Sequence, residues 1–166
     1  MNQDFETQLQ VVERALGEVV LPALGDAEKH VIEQLQLSLA AVGFMRQRLP
    51  HARRYYRGTL MTYLDMAAEI IDLLGSGPIE LAALSVSSRD VLFDAASTDN
   101  DLRQATGVLR AEIAAIIEGT RDAGHASELG RIVMNYSEPM LLLDRAWCVP
   151  LGFELRPQDF NGVCWD

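Results

Sequence analysis

A chain of 166 residues, 49% hydrophobic and with 12 glycines and 6 prolines, has the size and apolar content of a folded domain rather than a disordered one. Its 24 acids outweigh 14 bases, for a formal net charge of −10. That balance excludes a general binder of nucleic acid or anionic membrane, because phosphate recognition rests on a net positive face.

The opening MNQDFETQLQ has neither the basic start nor the apolar core of a secretory signal. Phe5, Leu9, Val12, Leu16 and Val19 then step alternately by four and three, which predicts a helix over 3–21 with one apolar face. Pro22 and Gly25 end it, and Asp26 is placed to cap a second helix over 27–48. In that helix Val31, Leu35, Ser38, Val42, Met45 and Leu49 form the expected inward stripe. Between Glu33 and Arg46 it carries 12 residues without a charge, QLQLSLAAVGFM, whereas a surface helix normally keeps a charged outer face. Opposite the stripe, Gln36, Ala40, Gly43 and Gln47 make a small, neutral face flanked by Leu37 and Phe44. The second helix therefore either sits at the centre of its own bundle or forms a two-fold dimer contact.

Pro50 closes the second helix. Tyr56, Leu60, Tyr63, Ala67, Ile70 and Leu74 predict a third over 52–74, with Asp65, Glu69 and Asp72 as its solvated side. GSGP leads into a fourth over 78–95, with Pro78 in the first turn, where its missing N–H costs nothing. STDND offers Thr98 or Asp99 as cap of a fifth over 100–120, and RDAGHAS opens a sixth over 126–147. Pro139 should bend the sixth, leaving the Asn135 carbonyl unpaired. Strand alternation is convincing nowhere. The expected fold class is all-α, an antiparallel helical bundle of about six helices spanning 1–147. Residues 148–166 read as an extended arm made apolar by Val149, Leu151, Phe153, Leu155, Phe160, Val163 and Trp165, packed on the bundle or on a partner subunit.

The stretch RQRLPHARRYYRG, 46–58, holds five arginines and no acid. Short connections make consecutive helices antiparallel, so this link shares an end with Asp4, Glu6, Asp94, Asp99, Asp101 and Asp144. Arg46 and Arg48 complement the negative end of a helix dipole; Arg53 and Arg54 start a helix and need an anion. Those carboxylates are the expected partners. The alternative is a phosphate- or carboxylate-bearing small molecule held by Arg46, Arg48, Arg53, Arg54 and Arg57, with Tyr55 and Tyr56 as a stacking wall.

Catalytic signatures are missing from the sequence. There is no Gly-x-Ser-x-Gly elbow and no phosphate loop, and Lys29 is the one lysine. His30/Glu33 and His125/Glu128 run His-x-x-Glu, the reverse of the di-iron bundle order, and His51 adds no ligand set. Glu112 is the only acid edging onto an apolar stripe. Cys148 and Cys164 make neither a zinc site nor a disulfide framework, and no run reaches the ~18 apolar residues of a membrane span. The sequence thus leads to a cytoplasmic, non-catalytic interaction or scaffolding protein without cofactor or metal, self-associating as a homodimer. The alternative is binding of a small anionic metabolite at the arginine-rich end.

Overall fold

The computed structural model describes residues 4–75 and 77–160, and every regular element among them is helical. α1 spans Phe5–Arg14 and continues through a π-helical segment, Ala15–Val20, into a last turn, Leu21–Ala23. There follow α2 (Lys29–Arg48), α3 (Ala52–Leu74), α4 (Ile79–Phe93), α5 (Asp99–Gly119) and α6 (Ala123–Cys148). Short 3-10 turns occupy Leu49–His51, Val149–Leu151 and Pro157–Phe160.

Among the described residues five long, regular α-helices are present rather than the six expected, because the first is a composite. Pro22 has no N–H to give the Glu18 carbonyl one turn back. The hydrogen bonding slips accordingly, and the Leu21 N–H reaches five residues back to the Leu16 carbonyl, the mark of a π-bulge.

Helix boundaries follow their caps. Thr98 Oγ1 accepts the Asp101 N–H at 3.2 Å while the Asp101 carboxylate accepts the Thr98 N–H at 2.8 Å, a reciprocal capping box for α5. α6 begins three residues before the expected start, since Asp122 Oδ1 accepts the His125 N–H at 2.8 Å. Gly75, at φ +64°, ends α3 in a left-handed conformation open to glycine. Pro139 lies within α6, which continues past it.

The chain groups into two compact units. One comprises Ala52–Leu143. Here α3, α4 and α5 pack on one another around Leu60, Leu64, Ala67 and Ile70 of α3, Leu81 and Leu92 of α4, and Leu102, Leu109 and Ile113 of α5. Leu129 and Ile132 of α6 complete the cluster. Each fully buried Leu or Ile contributes about 1.5–3 kcal/mol relative to exposure, so this cluster is the main source of hydrophobic stability in the unit.

The other unit joins residues 4–51 to 144–160. α1 packs on α2, with Gly17 and Gly43 at the contact: a Cβ on Gly17 would lie 3.8 Å from Leu39 Cδ2, and one on Gly43 would lie 3.6 Å from Glu13 Oε1, both ordinary van der Waals distances. Burial here is shallow. None of the described residues of α1 or α2 is fully buried, and Ala146 is the one buried hydrophobic residue described in this unit. The inward side of α2 is also turned by about half a residue from the expected stripe. Ile32, Leu35, Leu39, Val42 and Gly43 are half-buried, whereas Val31, Ser38, Met45 and Leu49 are exposed.

The expected arm is partly docked. Val149–Leu151 packs on α2, and Arg145 grips Glu154 with two hydrogen bonds of 2.9 Å while its guanidinium carbon lies 5.0 Å from the centre of the Phe160 ring. Phe153 and Leu155 are nonetheless 80% and 97% exposed. Val163 and Trp165 lie outside the described residues. Among those described, no helix is long and apolar enough to cross a membrane.

Candidate functional site

The arginine cluster takes much of its negative charge from backbone carbonyls at helix C-termini. The last four C=O groups of a helix have no intrahelical donor and carry the negative pole of its dipole. In α6, the residue four beyond Ala146 is Pro150, which has no N–H to offer. Arg48 supplies the donor that Pro150 lacks, Nη2 to the Ala146 carbonyl at 2.9 Å, and adds Nε to the Trp147 carbonyl at 2.8 Å, with its guanidinium carbon 5.6 Å from the Trp147 ring centre. Burial lowers the Arg48 pKa from its ordinary value, with Cys148 acting in the opposite sense.

The same device recurs in the Ala52–Leu143 unit. The Leu92 carbonyl would take its helical hydrogen bond from Ala96, but that N–H is held by Asp94 Oδ1 at 2.8 Å. Arg57 donates to Leu92 instead. Arg53 donates Nη1 to the carbonyl of buried Ser97 at 2.6 Å and Nη2 to Ala95 at 3.5 Å. Carboxylates also reach the cluster. Asp99 stands 3.8 Å from Arg53, and Arg46 Nε is 2.8 Å from Glu13 Oε2, an acid of α1 outside the expected set. Asp94 and Asp101 are engaged by backbone N–H groups, and hydrogen bonds from Thr98 hold the Asp101 carboxyl below its ordinary pKa. Arg54 is exposed.

The two tyrosines meet different arginines. Tyr55 and Tyr56 pack edge to face, ring centres 5.4 Å apart, on one wall of a cleft of about 470 Å³ between α3 and α5. The other wall carries Asn100, Arg103, Gly107 and Arg110, spaced three, four and three along one face of α5. The Arg103 guanidinium carbon lies 5.8 Å from the Tyr56 ring centre, a cation–π contact. Among the described residues neither Arg103 nor Arg110 makes an ion pair. No acid lines this cleft. On the other flank of α5 a hollow of about 430 Å³ is lined instead by Asp94, Asp101 and serines of α4.

On α2, Gln36 and Gln47 are exposed while Ala40 and Gly43 are half-buried, Gly43 facing Glu13 of α1. The expected association face is thus partly occupied within its own unit. The exposed apolar side comprises Val31, Leu37, Ala41 and Met45, with Gln34 and Ser38 between them.

Neither family models, nor curated proteins, nor solved structures match the chain.

The histidine pairs are otherwise engaged. His30 Nδ1 lies 3.2 Å from Glu28 and Glu33 pairs with Lys29 at 3.4 Å; His125 Nδ1 lies 3.4 Å from Asp122 and Glu128 binds Arg131 at 2.9 Å. No cluster of three or more metal-ligating side chains occurs among the described residues. The sequence reading missed Arg103 and Arg110. The signal was present: a helical stripe of polar residues with no acid, interrupted by a glycine.

Proposed function

We propose that the protein is a non-catalytic helical interaction protein, an antiparallel bundle of the cytoplasm that self-associates as a homodimer through α2. The observation that carries this reading is the exposed side of α2. Leu37 is 57% exposed, Met45 41% and Val31 39%, along a stretch with no charge between Glu33 and Arg46. Copies with a net charge of −10 repel one another over most of their surface. A charge-free helix is where two such surfaces can meet without opposing like charges, and a two-fold axis makes the same face serve both partners. The cytoplasmic setting suits Cys148, which is exposed as a free thiol.

Size-exclusion chromatography with light scattering tests the proposal. The wild-type chain is expected at twice its mass of 18.4 kDa. Ala41→Arg places a charge on the exposed side without disturbing the α1 contact and should give a folded monomer. A wild-type monomer at about 100 μM, far above the Kd of a stable dimer, or a dimeric Ala41→Arg variant, would refute association through this face.

A further inference from the structure

The cleft between α3 and α5 has features that self-association does not use. We infer that it binds a small planar aromatic carboxylate, with the ring against the Tyr55–Tyr56 pair and the carboxylate on Arg110.

In a strongly acidic chain, two guanidinium groups two helical turns apart, about 10 Å along the axis, line one cleft with no carboxylate beside them. Asp99, one turn before Arg103, stands 3.8 Å from Arg53, and the stripe 100, 103, 107, 110 itself carries no acid. Arg103 is committed to the Tyr56 ring. That leaves the planar fork of Arg110 to bind a carboxylate through two hydrogen bonds.

Gly107 lines the hollow and puts no side chain into it. A Cβ built on Gly107 meets nothing within 4 Å, although glycine in a helix interior is unfavourable relative to most residues. The resulting volume of about 470 Å³ falls in the range of small-ligand sites. Its walls differ in kind: two aromatic rings on α3, inclined at 67° to one another, supply an apolar corner against which a further ring can pack, while Asn100 and Gln104 of α5 supply neutral hydrogen-bonding groups. Aromatic contact on one side and a cation on the other describe a ligand with a ring and a carboxylate.

Isothermal titration of the full chain with 2-naphthoate tests the inference, with 2-naphthamide removing the charge and acetate removing the ring. The expected result is one-to-one naphthoate binding with Kd below about 1 mM, and both controls weaker by at least about tenfold. Gly107→Met fills the hollow with a better helix former, and Arg110→Gln removes the cation. Each should weaken naphthoate binding by at least about tenfold while the melting temperature stays at or above wild type for Gly107→Met. The inference is overturned by no binding up to about 5 mM, by amide or acetate binding as tightly as the acid, or by unchanged binding to folded Gly107→Met. None of these outcomes depends on oligomeric mass, so the dimer proposal stands or falls separately.

Discussion

Replacing Arg57 with methionine removes the guanidinium but keeps most of the apolar stem, so it isolates the hydrogen bond to the Leu92 carbonyl. Leu92 is only 5% exposed, and the Ala96 N–H that would otherwise serve its carbonyl is held by Asp94. The acceptor is then left without a donor at the negative end of α4. A charge-assisted hydrogen bond to a buried group contributes about 1.5–3 kcal/mol, and a cation at a helix C-terminus adds a few tenths. The net loss should be about 2 kcal/mol, equivalent to a fall of roughly 4–8 °C in Tm for a chain of this length. Thermal and urea unfolding at 0.1 M and 1 M NaCl separate this account from ion pairing. The Debye length shrinks from about 10 Å to 3 Å between those salts, which weakens an exposed carboxylate pair but leaves a short hydrogen bond to a carbonyl largely intact. A loss under about 0.5 kcal/mol, or one that disappears in 1 M salt, would refute carbonyl capping as the role of this arginine.

Two further predictions concern titrating contacts. Thr98→Ala should cost about 1 kcal/mol by dissolving the cap of α5. Because hydrogen bonds from Thr98 lower the Asp101 pKa, the stability Asp101 contributes is present above the ordinary carboxylate range and is lost as pH falls through its depressed value. Thr98→Ala should flatten acid unfolding there, and an unchanged acid limb in urea melts would contradict it. Tyr136 donates to Glu69 Oε1 at 2.7 Å, and that hydrogen bond, with burial and the charges of Glu69 and Asp65, pushes its pKa up to about 12. The linked stability is complete below the ordinary tyrosine pKa of about 10 and disappears as pH rises through the folded value. Tyr136→Phe should abolish that alkaline loss in unfolding curves at about pH 9–12; an identical slope in the variant would show that the phenol is not its source.

How much the sequence told depends on what each signal can encode. The apolar steps through Leu60, Ala67 and Ile70 located a true core, because α3 is covered by neighbours and its other side carries Asp65, Glu69 and Asp72. In α2 the same rule chose a stripe turned by about half a residue from the observed one. That helix is apolar or neutral around nearly its whole circumference, so the spacing 31, 35, 38, 42 fits as well as 32, 35, 39, 42, two stripes that share Leu35 and Val42 and lie about 50° apart around the helix. The arginines were legible as a cluster in need of negative charge, but an inventory of side chains counts carboxylates and overlooks carbonyls, which every residue has. Pro150 and Asp94 were the available clues, since each deprives a helix-end carbonyl of its donor. The cleft required knowing that α3 and α5, which are not consecutive, lie side by side. No local pattern states that.

Hydrogen bonding to carbonyls carries a consequence for how the link between α4 and α5 tolerates change. Every amino acid presents the same main-chain oxygen, so Ala95 and Ser97 could be exchanged for other residues and Arg53 would still find its acceptors. Inserting or deleting one residue there would move those oxygens by several ångströms and strand the guanidinium. The segment is thus permissive in identity but strict in length, and its specification is written on α3, in the two arginines one helical turn apart.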